Sequence, residues 1–77
     1  MYKYKTERFT FKNQMVEAVA DYYSYLGEAL NDAEYAELVS IYVAAPEPGQ
    51  EKNKAGEFKD FTIYRYANGS WEVKRRA

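Results

Sequence analysis

Few side chains in this sequence could do covalent or acid–base chemistry. The 77 residues include no His and no Cys. That removes imidazole bases, thiolate nucleophiles, disulfides and every Cys/His metal site. Serines stand at Ser24, Ser40 and Ser70, none in a Gly-x-Ser-x-Gly elbow, and a hydroxyl nucleophile would have only Lys for its base. The glycines Gly27, Gly49, Gly56 and Gly69 are scattered, so no phosphate-cradling loop is present. Carboxylates pair as Glu17 with Asp21 and Glu34 with Glu37. Acid–base work would require one of each pair to be desolvated, whereas on an exposed helix face both are solvated. No calcium-loop spacing occurs. The chain therefore reads as non-enzymatic, with no catalytic residue, metal or cofactor.

Charge is the more informative property. The net charge is −1, but the charges fall in blocks. Between Asn13 and Glu51 there is no Lys or Arg, while Glu17, Asp21, Glu28, Asp32, Glu34, Glu37, Glu47 and Glu51 are all acidic. All eleven basic residues lie in the flanks. Blocks of this kind create local fields that steer association. Tyrosine is also abundant, with nine residues, and suits half-wet binding surfaces.

The elements that must position these groups follow from periodicity. Residues 2–9 alternate and contain aromatic and β-branched types, which predicts a strand. Thr10 is a candidate N-cap for a helix over 11–26. Phe11, Met15, Val19, Tyr22 and Leu26 form its apolar stripe, and Gly27 is placed to end it in a left-handed conformation. Tyr23 falls near the edge of the stripe and Tyr25 outside it. Residues 34–44 fit either element, and Val39, Ile41 and Val43 favour a strand. Pro46 to Gly49 ends that segment, and 46–57 reads as a long polar, mobile loop.

Asn68-Gly69 signals a hairpin between 58–66 and 71–76. A two-residue turn pairs Tyr66 with Trp71, Arg65 with Glu72 and Tyr64 with Val73. One face then carries Tyr64, Tyr66, Trp71 and Val73, and the other Phe61, Ile63, Arg65, Glu72 and Lys74. The expected fold class is α+β, one domain over 1–77, with a small antiparallel sheet and one main helix on a face. Its order is β-α-β-β-β, or β-α-α-β-β if 34–44 is helical. No apolar run is long enough to span a bilayer and no secretory signal is visible, so a cytoplasmic location is expected. Asn68-Gly69-Ser70 matches a glycosylation acceptor, but the turn accounts for it.

Three functional readings follow. The first is a protein-binding module. Glu17, Asp21, Tyr25, Glu28, Asp32, Glu34 and Glu37 would dock on a basic surface of a partner, such as the groove of a nucleic-acid-handling complex. A small, catalytically empty protein of this sort would suit stoichiometric inhibition of the phage anti-defence, anti-CRISPR-like kind. Changing Glu17, Asp21 or Glu34 to Lys should then weaken binding with stability nearly unchanged. The second reading is a nucleic-acid binder using Arg65, Lys74, Arg75 and Arg76 with Tyr64, Tyr66 and Trp71 as stacking platforms, Lys3, Lys5, Arg8 and Lys12 extending the basic edge. The third is a small structural subunit or homodimer that completes a thin core by pairing.

Overall fold

Met15, Val16, Val19 and Tyr23 are the side chains that α1 buries, and the rest of the fold is arranged around them. The computed structural model describes residues 6–41 and 46–76. The elements are β1 (Thr6–Phe9), α1 (Lys12–Tyr25), α2 (Asp32–Ser40), β2 (Lys52–Phe58), β3 (Phe61–Tyr66) and β4 (Trp71–Arg75). The strands form one antiparallel sheet in the order β1-β4-β3-β2. Leu38 of α2 joins the α1 side chains against Phe58, Phe61, Ile63, Trp71 and Val73 of the sheet. The α+β class thus holds, with two helices on one face of four strands.

Helix α1 begins one residue later than its sequence suggests. The N-cap is Phe11, not Thr10, and the Gln14 side chain accepts from the Phe11 N–H at 3.0 Å. The helix ends as expected. Gly27 has φ +79°, and the N–H groups of Gly27 and Glu28 reach back to Ser24 (3.0 Å) and Tyr23 (2.8 Å), a Schellman closure. Phe11 and Leu26 are therefore caps rather than helical residues, and they stay 63% and 47% exposed. Tyr23, not Tyr22, is the tyrosine that α1 buries. Tyr22 packs edge-on against Phe61 from a half-buried position, with centroids 5.2 Å apart.

The strand expected around Val39 and Ile41 is a helix as far as Ser40. Asn31 and Glu34 form a capping box: Asn31 Oδ1 accepts from the Glu34 N–H (2.8 Å) and Glu34 Oε1 from the Asn31 N–H (3.0 Å). At the other end Lys12 donates to the carbonyls of Val39 (2.5 Å) and Ile41 (2.6 Å), placing a cation on a helix C-terminus. Ile41 is already extended; residues 42–44 of that expected strand, and residues 2–5 of the first expected strand, lie outside the described residues.

The segment read as a loop over 46–57 contains β2 from Lys52 onward. This is an edge strand, polar on its open side and bulged between Lys54 and Gly56, the form in which sheet edges resist further pairing.

The β3–β4 register is one residue from the expected one. Arg65 pairs with Trp71, Tyr64 with Glu72 and Ile63 with Val73. Tyr66 N–H donates to Ser70 O (2.9 Å) and Gly69 N–H to Tyr66 O (3.0 Å). The loop is therefore three residues, 67–69, with Gly69 at φ +89°, a turn followed by a glycine bulge. Because side chains alternate along a strand, a one-residue slip exchanges faces. Arg65, Trp71 and Arg75 share the helix-covered face with Phe61, Ile63 and Val73. Tyr64, Tyr66, Glu72 and Lys74 share the opposite one.

Candidate functional site

The fold turns the charge blocks of the sequence into faces. Its acidic middle supplies both helices and its basic flanks supply the sheet.

On the helical layer, Glu17, Asp21 and Tyr25 stand four residues apart on α1, all exposed. Tyr25 is 61% exposed. Glu28 leaves this row because the helix stops before it. Asp32, Glu34 and Glu37 lie on α2. The two helices meet where the Tyr35 hydroxyl donates to Glu17 Oε1 at 2.9 Å. That carboxylate pushes the Tyr35 pKa upward. Val16, Val39 and Tyr35, with Lys12, Asn13 and Glu17, line an open groove of about 290 Å3 between the helices. Phe11, Tyr25, Leu26, Tyr35 and Val39, the exposed large apolar side chains among the described residues, all lie in this layer.

Glu34 differs from its neighbours. Besides capping α2 it pairs with Lys59 of the β2–β3 turn at 2.5 Å. The Lys59 hydrogen bond, then the Asn31 N–H, holds its carboxyl below the usual range, and Lys59 is raised in return. The expectation that Glu34→Lys would leave stability unchanged is thus corrected, because Glu34 holds α2 to the sheet. Glu17, Asp21, Asp32 and Glu37 have no ion pair among the described residues.

The basic aromatic set of the sequence is divided by the register. Trp71, 8% exposed, belongs to the core, with Lys12 and Arg65 over its ring at 5.6 and 5.9 Å. Arg75 donates to the Tyr22 hydroxyl at 3.2 Å on the covered side. Arg76 donates to the carbonyls of Lys59 and Phe61, clamping a turn in which Lys59 has φ +48°. Trp71 and Arg75 are thus turned to the covered side, and Arg76, though exposed, is engaged by these carbonyls and by Glu57 at 3.4 Å. Tyr64, Tyr66 and Lys74 do share the opposite face, Tyr66 buried there at 8% exposed beneath residues the sequence did not single out together. Arg8 lies 3.5 Å from the centroid of the Tyr66 ring, and Lys52 lies 4.4 Å from that of Tyr64. Beneath them Glu72 is buried, accepting from Lys52 (2.8 Å) and from the Tyr66 hydroxyl (3.2 Å). The Glu72 hydrogen bond raises the Lys52 pKa. Alternation of lysines at 52 and 54 was the available signal, masked by the loop reading of that segment.

Among the described residues no group of three or more carboxylates is arranged to hold a metal ion, and no helix is long and apolar enough to cross a membrane. The architecture defines a small two-layer α+β domain with acidic residues gathered on its helices and basic ones on its sheet. In comparisons with protein-family models, curated proteins and solved structures, nothing matches the chain.

Proposed function

We propose that this chain is a non-enzymatic, cytoplasmic protein-binding module whose helical layer docks on a basic surface of a partner. The observation that carries this reading is the coincidence, on one layer, of the exposed apolar side chains and of carboxylates that have no ion pair among the described residues. Exposed apolar area rimmed by charge is the composition of an interaction surface. Tyr25 and the groove between α1 and α2 supply apolar anchors, and Glu17, Asp21, Asp32 and Glu37 supply long-range attraction and register. The matching surface is one evolved to hold phosphate, so the partner is a protein that handles nucleic acid. Occupying that surface would inhibit it stoichiometrically.

The test is affinity capture from nuclease-treated lysate, comparing the wild type with the Glu17→Lys/Asp21→Lys variant. A partner bound by the wild type should be lost from this variant, yet retained by Lys74→Glu on the sheet. A partner retained equally by all three would overturn the assignment to the helical layer.

A further inference from the structure

The open sheet face is not used by that reading, and it carries a built feature of its own. We propose that it holds single-stranded nucleic acid, with the Arg8 guanidinium as a stacking platform for a base.

Four observations support the site. First, Arg8 stacks over the Tyr66 ring at 3.5 Å and donates to Ser70 Oγ at 2.7 Å. Ser70 is itself fixed by donating to Asn68 Oδ1 at 2.6 Å. The guanidinium is thus held from below and from one side while its residue remains exposed. A planar cation of this kind accepts a base on its open face, as an aromatic ring does. Second, hollows of about 380 and 280 Å3 lie beside Arg8, each with room for a planar base. Third, their walls include Asn68, Thr10, Ser70 and Glu51, donors and acceptors of the types that read base edges. Fourth, the cations around this corner come from separate strands: Lys74 from β4, with no ion pair among the described residues, and Lys52 and Lys54 from β2, paired with Glu72 and Glu57. A phosphate backbone crossing the sheet would meet Lys74 directly and compete with those two carboxylates for the β2 lysines.

The net negative charge does not forbid this. The carboxylates of the helical layer lie on the far side of the sheet, about one helix diameter (~10 Å) away. The Debye length is about 8 Å at physiological ionic strength. A phosphate at Arg8 therefore meets mainly the local charges: the cations Arg8, Lys52 and Lys74, against the carboxylates of Glu51 and of the buried Glu72, which Lys52 already pairs. Trp71 plays no part, being on the covered face.

The experiment is fluorescence anisotropy of a labelled oligo(dT) of about 12 nucleotides, titrated with the intact protein over a range of salt. The wild type should bind, with affinity falling as salt rises. Arg8→Lys keeps the charge and removes the plane, so it should weaken binding roughly tenfold. Lys74→Ala should reduce the salt slope by about 0.7, the value of one phosphate contact on a single strand. Glu17→Lys on the far layer should change affinity by less than about twofold, given the screening above. Circular dichroism of each variant confirms the fold. Three outcomes would overturn the proposal: absence of binding at low salt, wild-type affinity in Arg8→Lys, or inorganic polyphosphate competing as well as the oligonucleotide at equal charge. Each of them leaves the protein-binding reading of the helical layer untouched.

Discussion

Tyr23 offers the sharpest physical test of how the two layers are joined. Its hydroxyl accepts from the Asp60 N–H at 3.0 Å and donates to the Asp60 carboxylate at 3.3 Å, tying α1 to the β2–β3 turn. The side chain is 2% exposed. Burial, with the Asp60 carboxylate adding to it, pushes its pKa up from 10.0 to about 12. In the unfolded chain the phenol ionises near ~10. Between those values the unfolded chain has released a proton that the folded protein still holds, so stability falls as pH rises through that window. Two pKa units correspond to about 3 kcal/mol once both states are ionised.

Tyr23→Phe removes the titration and the two hydrogen bonds together. At neutral pH it should cost about 1 to 2 kcal/mol, because the Asp60 N–H loses its partner. Above the ordinary tyrosine pKa the deficit should shrink, and near the top of the window the variant should equal or exceed the wild type. Urea unfolding followed by the single tryptophan, Trp71, at steps from neutral to alkaline pH gives the difference directly. Lys52 and Lys59, whose pKa values are raised by Glu72 and Glu34, titrate in both proteins and cancel. A difference in stability that stays constant from neutral pH to the end of the window would refute the reasoning.

Two further predictions concern the supports of the proposed surfaces. Glu34 has a lowered pKa, so its stabilisation is present above the ordinary carboxylate value and lost as pH falls through the lowered one. Glu34→Gln should melt below the wild type at neutral pH, and the gap should close in acid; a gap unchanged at low pH would contradict the Lys59 pairing. Gly69→Ala meets no atom within 4 Å, so its cost is conformational, about 1 to 2 kcal/mol for a side chain at positive φ. Chemical denaturation should show that loss, and an unchanged midpoint would argue against the glycine-bulge turn.

The legibility of this fold in its sequence varied with the kind of signal. α1 was readable because a stripe at helical spacing and a terminal glycine agree, although Phe11 and Leu26 were assigned to a core they only flank. For α2 the sequence leaves strand and helix open, with the β-branched Val39, Ile41 and Val43 favouring the strand. The Asn31/Glu34 capping box and the Lys12 contacts outweigh that modest propensity. β2 was invisible because an edge strand need not alternate apolar and polar residues. The hairpin was recognised, but Asn68-Gly69 suits both a two-residue and a three-residue loop. That single ambiguity exchanges the faces of β4, bringing Trp71, Val73 and Arg75 to the side of Phe61, Ile63 and Arg65. The acidic half of the candidate site was visible in the charge blocks. The arginine on the Tyr66 ring was not, since its partner lies 58 residues away in the chain.

The blocky charge pattern has a structural consequence that net charge conceals. Had acidic and basic residues alternated along the chain, every element would have carried both signs and each face would have been neutral. Here the contiguous acidic stretch folds locally into two helices, while strands from both basic flanks pair through long-range contacts, so the signs separate by layer. The internal ion pairs that cross this division are few among the described residues: Glu34 with Lys59 links the helical layer to the sheet, whereas Lys52 with Glu72, Lys54 with Glu57 and Arg76 with Glu57 lie on the sheet side. The layers are separated by about one Debye length, so each face can attract its own ligand with little interference from the other. The same separation permits one competing event, in which the helical layer of one copy meets the sheet face of another. Such a contact is heterologous and does not close by two-fold symmetry. It would appear as concentration-dependent, salt-reversible chain growth rather than a discrete dimer, and it would be suppressed by Glu17→Lys and by Lys74→Glu singly. Mixing those two variants should give a discrete one-to-one pair in place of chains, because the intact sheet of one meets the intact helical layer of the other while the altered faces cap both ends.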